Sequence, residues 1–203
     1  MKLYYIPGAC SMADHIVLEW IGKPYETQEV AREALRSPDY LKINPSGQVP
    51  ALAMEEDWVL TENVAILNYL MDLSPEAKLD GQGSPRERAE VNRWLCYLNV
   101  DVHGAFKPLF RPQRFIADES QHAAVQDMAR QHLRTHFERL NAQLADREWL
   151  TGHRSVADAY LFVVLRWAKR MQVALGGLAH LDAFFARMET DAGVQAAMKA
   201  EGV

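Results

Sequence analysis

Cysteine is scarce in this sequence, in which only Cys10 and Cys96 carry a thiol. Two cysteines are too few for the multi-bridge framework of a small secreted domain or for a four-cysteine zinc site. Apolar runs long enough to span a bilayer are also missing, and Pro7-Gly8 interrupts the region where a signal peptide would be continuously apolar. These absences favour a reducing compartment, so we expect a cytoplasmic protein that does not act in a membrane.

Positive charge is also in deficit, because the formal net charge is -5 at pH 7. Without a global basic surface, binding to nucleic acid is disfavoured and a small or neutral partner is favoured. The remaining composition is ordinary for a globular protein, with 49% hydrophobic and 24% charged residues. The length of 203 residues suits one large domain or two small ones.

Residues 1–73 alternate short apolar strands with helices. Strands are predicted over 3–6, 25–30, 48–54 and 58–60, with helices after Cys10 and after Thr61 as its N-cap. The first strand, helix and second strand form a βαβ unit, which predicts a parallel pair. The polar turn Glu55-Glu56-Asp57 predicts that the last two strands form an antiparallel hairpin. We therefore predict an α/β domain with a mixed sheet and βαβ-ββα order.

Helical periodicity dominates the rest of the chain. Residues 74–85 contain two prolines and two glycines and are predicted to be a linker. Beyond them, Ser155 and Asp158 form a capping box before a strongly apolar helix. Apolar stripes at helical spacing comprise Val91, Trp94, Leu95, Leu98 and Val102; Val125, Met128, Leu133, Phe137, Leu140 and Leu144; and Leu181, Phe184, Phe185 and Met188. An all-helical domain over residues 86–203 is therefore predicted.

The best lead to chemistry is Cys10, which lies between the first strand and the first helix. Ser11 and Asp14 have the spacing of a capping box, which places Cys10 just before the first helical turn. The positive end of a helix favours an anion, so we expect a stabilised Cys10 thiolate with a pKa below the free value of roughly 8.5. The alternative is that Cys10 is only a small buried hydrophobe beside a turn.

The order of these motifs resembles the cytosolic glutathione transferases and, among them, the bacterial beta class. The matching segments are Pro7-Gly8-Ala9-Cys10-Ser11, Gln48-Val49-Pro50, Thr61-Glu62, Pro108-Leu109-Phe110-Arg111-Pro112, Ser155-Val156-Ala157-Asp158-Ala159-Tyr160 and Ala200-Glu201-Gly202. The resemblance covers essentially the whole chain. It implies a thioredoxin-like N-terminal domain, a helical domain that holds the second substrate, and a homodimer. It also implies glutathione as co-substrate, no metal, and either conjugation to small electrophiles or glutathione-dependent disulfide exchange.

The resemblance also implies roles for individual residues. Cys10 would contact the glutathione sulfur and form a mixed disulfide with it. Val49, before a cis Pro50, would pair its backbone with the cysteinyl part of glutathione. Glu62 and the N–H groups after it would hold the γ-glutamyl end, and His103 would line the site from the helical domain. These roles fit the chemistry, since an acid suits the glutathione ammonium and a helix N-terminus suits a carboxylate.

Other candidates carry more than one interpretation. Ser11 can cap its helix, which we favour, or donate a hydrogen bond to the glutathione sulfur. Cys96, Asn99 and His103 follow at helical spacing, so we expect them to share one face that lines the site. Asn63 and Cys96 depart from the class pattern, in which a small residue and an asparagine are common. The class lysine after the second strand has no counterpart, so Arg32 or Arg36 is the candidate partner of the glycyl carboxylate.

Other chemistries fit the sequence less well. The segment Cys10-Ser11-Met12-Ala13 lacks the second cysteine of a thioredoxin-type dithiol. His132 and His136 have the i, i+4 spacing of helical metal ligands, but neither a third ligand nor a catalytic glutamate accompanies them. Two hypotheses therefore remain. One is a glutathione transferase, and the other is a non-catalytic protein on the same scaffold that binds apolar ligands or a protein partner.

Overall fold

A four-stranded mixed sheet forms the N-terminal part of the protein. The computed structural model describes residues 1–55, 58–81 and 83–203. The strands are β1 (Lys2–Tyr5), β2 (Glu26–Glu29), β3 (Ala51–Ala53) and β4 (Val59–Thr61), in the order β2-β1-β3-β4. β1 pairs with β2 in parallel and with β3 antiparallel, and β3 pairs antiparallel with β4. The predicted mixed sheet is confirmed, although Glu56 and Asp57 of the predicted hairpin turn lie outside the described residues.

Helix α1 (Ser11–Ile21) follows β1 and ends as the sequence predicts. Gly22 takes the left-handed conformation at φ 69° and donates its N–H to the Leu18 carbonyl. The predicted capping box at the other end is wrong. The N-cap residue is Cys10, and the Ser11 hydroxyl turns back to the Ile6 backbone instead of capping the helix. The reason is that the whole first turn of α1 is buried, so Ser11 satisfies its hydroxyl against the strand beneath it.

The connection from β2 to β3 is more regular than predicted. A 3₁₀ turn spans Arg32–Arg36, and α2 spans Pro38–Ile43. α2 begins at an N-cap serine, Ser37, which accepts from the Tyr40 N–H, and proline occupies the first helical position. After β4, α3 spans Asn63–Leu73. Its N-cap is Glu62 and not Thr61, which forms the last residue of β4.

The remainder of the chain is helical, as predicted. Its helices are α4 (Pro85–Cys96), α5 (His103–Phe110), α6 (His122–Gln143), α7 (Val156–Arg170), α8 (Ala179–Thr190) and α9 (Ala192–Glu201). The Asp158 carboxylate accepts from the N–H and hydroxyl of Ser155, which confirms the second capping box. The placement of Met128 in an apolar stripe is wrong, because 70% of its surface is exposed. The sequence patterns did not separate α9 from the helix before it. None of the helices formed by the described residues is long and apolar enough to cross a membrane.

One π-helical segment, Tyr97–Val102, joins α4 to α5 without interrupting the helical path. At the end of this segment, the N–H of the following residue, His103, donates to the carbonyl of Leu98, five residues earlier. The wider turn rotates the helix face relative to α4, so residues before and after it no longer share the face that an α-helical period predicts. Such turns occur often at functional sites.

The sheet and the helices pack around a shared hydrophobic core. α1 packs on α7 and α9 as well as on α3, so the N-terminal part buries its central helix against the helical part. The predicted linker is partly packed, since Leu79 is buried and its carbonyl accepts from the Val156 N–H at 3.2 Å. This arrangement fixes the start of α1 against α7 and α9, next to the cleft in which the candidate site lies.

Candidate functional site

A cleft of about 640 Å³ separates the N-terminal sheet from the helical part, within the range of small-molecule sites. Cys10 lies in it, with the turn that ends at Pro50, the start of α3, and the face of α5 around it. Of the residues predicted from sequence, the cleft brings together Cys10, Val49, Pro50, Glu62, Asn63, Asn99, His103, Arg32 and Arg36. Ser11 and Cys96 do not line it.

Cys10 is held as a thiol and not as the expected thiolate. Burial, and after it the negative charge of Asp14, raise the pKa of the Cys10 thiol to about 12. The backbone N–H groups of Cys10 and Ser11 lower the pKa as the helix-terminus argument expects, but their effect is smaller. The thiol donates toward the Val49 carbonyl, with 3.6 Å between Sγ and the oxygen. The prediction of a depressed pKa is therefore wrong, because desolvation outweighs the helix dipole.

Ser11 is placed away from the cleft by the same turn. Its hydroxyl lies 3.4 Å from both the N and the O of Ile6 and is fully buried. A second rotamer that reaches a ligand sulfur would break these contacts. The interpretation of Ser11 as a helix cap is therefore wrong, whereas its role as a donor to glutathione stays a prediction.

The turn before β3 presents an unused backbone donor. The Val49-Pro50 peptide bond is cis. Tyr40 and Asn44 hold the neighbouring Gln48 carbonyl through hydrogen bonds of 2.7 and 2.8 Å. The N–H of Val49 makes no hydrogen bond with any residue in the described part of the chain. A ligand in the cleft can therefore pair with Val49 as an additional strand does.

Glu62, the N-cap residue of α3, lines the same cleft as Cys10. Glu62 adopts φ 72° and ψ 115°, a region that disfavours residues with a side chain. Its carboxylate has no ion-pair partner within residues 1–55, 58–81 and 83–203. Asn63 is buried, and its amide nitrogen, in the orientation that satisfies both groups, donates to Asp14 at 2.8 Å. Asn63 thus supports the site through Asp14 and leaves Glu62 to face the cleft.

His103 reaches the cleft from the first residue of α5 and is fixed by Tyr160. The Tyr160 hydroxyl donates to Asn99 Oδ1 at 3.0 Å, so its oxygen accepts from His103 Nδ1–H at 2.7 Å. Burial, and then the nearby Lys107, lower the pKa of His103 to about 4. His103 is therefore a neutral imidazole with Nε2 free to accept. Asn99 has a positioning contact to this network, which the sequence reasoning did not identify.

Cys96 lies on a different face of the same helical path. It is exposed and outside the cleft, whereas Asn99 and His103 line it. The π-helical turn between Cys96 and His103 shifts the helical phase, so the predicted common face of all three residues is wrong. Arg32 and Arg36 both line the cleft, so the two alternatives for the glycyl carboxylate stay open.

The loop that carries Cys10 is held by the far end of the chain. Glu201 accepts from the Gly8 N–H at 2.8 Å and contacts His15 Nδ1 at 3.0 Å. Trp167 donates to the Gly8 carbonyl at 2.8 Å. Both backbone groups of Gly8 are therefore fixed by the helical part, which orients the residue two positions before Cys10.

Several cleft residues were missed by the sequence reasoning. They lie along the end of α5 and the turn after it, and comprise Lys107, Arg114 and Phe115. Phe110 and Arg111 were noted only as part of a family motif. The spacing of these cations in the sequence gives no common helical face, because α5 ends at Phe110 and Arg114 lies in the 3₁₀ turn Pro112–Arg114.

The histidine pair on α6 lies outside the cleft. His132 and His136 bring their Nε2 atoms within 3.1 Å, and the Tyr97 hydroxyl contacts His136 Nδ1 at 2.7 Å. Among the described residues, no group of three or more His, Cys, Asp or Glu side chains is arranged to hold a metal ion.

Comparison with known proteins places this site in a family. The model of the glutathione S-transferase N-terminal domain matches residues 1–72, and that of the C-terminal domain matches residues 100–191. Glutathione S-transferase GST-4.5 of Xanthomonas campestris is 50% identical over 204 residues, covering 100% of both chains.

Two solved structures share the fold along the full chain. A bacterial beta class glutathione S-transferase from Sphingomonas chungbukensis has a TM-score of 0.89 at 35% identity, covering 100% of this chain and 99% of that one. A sphingomonad glutathione S-transferase complexed with glutathione has a TM-score of 0.88 at 35% identity, covering 100% of both. The resemblance noted from the motifs is confirmed, and the chain belongs to the glutathione S-transferase family.

Proposed function

We propose that the cleft binds glutathione beside Cys10 and that the protein conjugates it to electrophiles. The observation that carries this proposal is the match between the cleft and the charges of glutathione. Glu62 offers an unpaired carboxylate for the ammonium, Arg32 and Arg36 offer guanidinium groups for a carboxylate, and Val49 offers a free N–H. The relatives are named glutathione S-transferases, and one related structure is a complex with glutathione.

The backbone of Glu62 supports its assignment to the ligand. A non-glycine residue at φ 72° costs of the order of 1–3 kcal/mol. Glycine would relieve this strain, so the glutamate side chain is retained at an energetic cost. A ligand ammonium provides the compensating contact, and the N-terminus of α3 beside it favours the adjacent α-carboxylate.

In the conjugation step, Cys10 acts as a hydrogen-bond donor. Pairing of glutathione with Val49 releases the Cys10 S–H from the Val49 carbonyl, and the S–H then donates to the glutathione sulfur. The glutathione thiol loses its proton to solvent, and its thiolate attacks the electrophilic carbon. A C–S bond forms, and the leaving group departs with its bonding electron pair. The neutral His103 lines the same cleft, and its Nε2 is free to accept a hydrogen bond there.

Glutathione-dependent disulfide exchange is a second candidate function, and the position of Cys10 in the cleft favours it. Here the Cys10 thiolate attacks a glutathionyl disulfide, forms a mixed disulfide and releases the other sulfur as a thiolate; a second glutathione then releases Cys10 and forms glutathione disulfide. Because only the thiolate attacks, this activity should rise steeply with pH. Conjugation should not follow the Cys10 titration.

A titration calorimetry experiment tests glutathione binding. Glu62→Gln should weaken binding by about tenfold to a hundredfold, because a charge-assisted contact is lost. Glu189→Gln, on an exposed face of α8, is the matched control and should bind as the wild type does. Wild-type affinity in Glu62→Gln would remove Glu62 from the site. Binding without turnover of any electrophile or disulfide would instead favour the non-catalytic alternative.

We also propose that the protein is a homodimer. Trp58, Val100 and Met128 are large apolar side chains that remain substantially exposed, which marks surface that a second copy can cover. Sedimentation at low micromolar concentration should give twice the chain mass. A single species at 23.1 kDa would contradict the proposal.

A further inference from the structure

The cleft is strongly cationic in a protein whose formal net charge is -5. Five cationic side chains line it, and Glu62 is its one acidic side chain among the lining residues: the cations are Arg32, Arg36, Lys107, Arg111 and Arg114. None of the five forms an ion pair with any acidic residue that the structure describes. Among the lining residues that the structure describes, Glu62 alone offers a compensating negative charge.

Glutathione accounts for only part of the excess. Its thiolate form carries two carboxylates, one ammonium and one thiolate, for a net charge of minus two. Five cations and one acid give the cleft a net charge of plus four. With glutathione bound, an excess of two positive charges therefore remains. Arg32 and Arg36 lie on the N-terminal side with Val49, whereas Lys107, Arg111 and Arg114 lie on the helical side.

The helical side also presents two aromatic rings to the cleft. Phe110 is 45% exposed, although its ring stacks on Phe106 at 5.6 Å between centroids and packs edge-on to Trp167 at 5.5 Å. Phe106 and Trp167 thus fix the orientation of the Phe110 ring, and the rest of the ring remains exposed. Phe115 is 54% exposed. A planar ring can pack against these side chains, and a carboxylate on that ring then meets Lys107, Arg111 or Arg114.

We propose that the second substrate is an aromatic electrophile that carries a carboxylate, with its ring against Phe110 and Phe115 and its carboxylate on Lys107, Arg111 or Arg114. This inference rests on the proposed glutathione conjugation and names its acceptor class. Lys107, Arg111 and Arg114 line the cleft from the helical side, whereas Arg32, Arg36 and Val49 line it from the N-terminal side. The three helical-side cations select the acceptor by charge and do not act on the bond being broken.

A matched pair of acceptors tests the proposal. Chlorodinitrobenzoate, with chloride para to the carboxylate, is compared with its neutral carboxamide. In both, the glutathione thiolate forms a C–S bond at the ring carbon, and chloride leaves with the electron pair of the C–Cl bond. Each kcat/KM is divided by the rate of the uncatalysed reaction with glutathione. The wild type should prefer the carboxylate by about tenfold at low salt, and high salt should diminish this preference.

Variants identify the source of the preference. Lys107→Met and Arg111→Gln should each reduce the ratio by about twofold to fivefold, and the triple variant with Arg114→Gln should bring it to about one. The ratio of the two acceptors is the measured quantity, and a cooperative thermal unfolding transition like that of the wild type shows that the variants are folded. Arg86→Gln, an exposed charge on α4 outside the cleft, is the control and should keep the wild-type ratio.

Two results would overturn the inference in distinguishable ways. A wild-type ratio near one, or a triple variant that keeps its preference, with calorimetric glutathione binding intact, removes the acceptor assignment and leaves glutathione conjugation standing. Absence of glutathione binding by the wild-type protein removes both.

Discussion

Iodoacetamide should alkylate Cys10 of the folded protein about a thousandfold more slowly than Cys10 of the unfolded chain at mildly alkaline pH. The folded pKa of this thiol is about 12, against a reference of 9.0. A difference of about three units lowers the thiolate population about a thousandfold below pH 9. The folded rate should rise about tenfold per pH unit well beyond pH 9, where the unfolded rate has already levelled off.

The same shift predicts how stability depends on pH. Between pH 9 and pH 12 the unfolded thiol has lost its proton while the folded thiol keeps it, so the unfolded state binds fewer protons and stability falls as pH rises. The loss is about 1.4 kcal/mol per pH unit, or about 2 kcal/mol at pH 10.5. Cys10→Ala lacks this contribution. The difference in urea unfolding free energy between variant and wild type should therefore change by that amount between pH 8.5 and pH 10.5.

Peptide-resolved mass spectrometry is the assay for alkylation, with the exposed Cys96 as an internal check on the reagent. Restricted access alone would slow Cys10 at every pH without moving the midpoint of the profile, so the midpoint is the decisive quantity. Asp14→Asn removes the second cause of the shift and should lower the midpoint. A rate that levels off below pH 9 in the folded wild type would refute the argument that desolvation outweighs the helix terminus.

Three further outcomes are expected. Because the folded pKa of His103 is about 4, the unfolded state binds an extra proton below pH 6.5. Acidification to pH 5 should therefore lower the free energy of urea unfolding by about 2 kcal/mol, a loss that His103→Gln should not show. Glu201→Ala leaves the Gly8 N–H without its acceptor and should lower the unfolding free energy by about 2–3 kcal/mol. The variant should also accelerate alkylation of Cys10, and an unchanged rate would show that Glu201 does not position the Cys10 loop. Gly193→Ala places a Cβ 2.6 Å from the Trp20 ring and should destabilise the protein by about 1–3 kcal/mol. Gly104→Ala places a Cβ with nothing within 4 Å and should be neutral or stabilising. Equal changes in melting temperature for the two variants would contradict this expectation.

The sequence predicted those features that depend on local pattern. Gly22 ends its helix and the apolar stripe of α4 is buried, because helix termination and apolar periodicity each depend on a few neighbouring residues. The family resemblance, and not a local pattern, implied that Cys10 and Glu62 share one cleft. What failed depends on distant packing. The pKa of Cys10 follows from its burial in the folded chain, and the position of Cys96 follows from a π-helical turn that no spacing rule reveals.

The hydrogen bond from the Gly8 N–H to the Glu201 carboxylate joins residues 193 positions apart in the chain. During synthesis on a ribosome, the cysteine loop therefore emerges among the first residues, but its final geometry must await α9. A fragment of residues 1–73 would contain Cys10, Val49 and Glu62 and still lack both contacts that fix Gly8. The orientation of Gly8, and with it the path of the chain into Cys10, is therefore complete only when α7 and α9 are both in place.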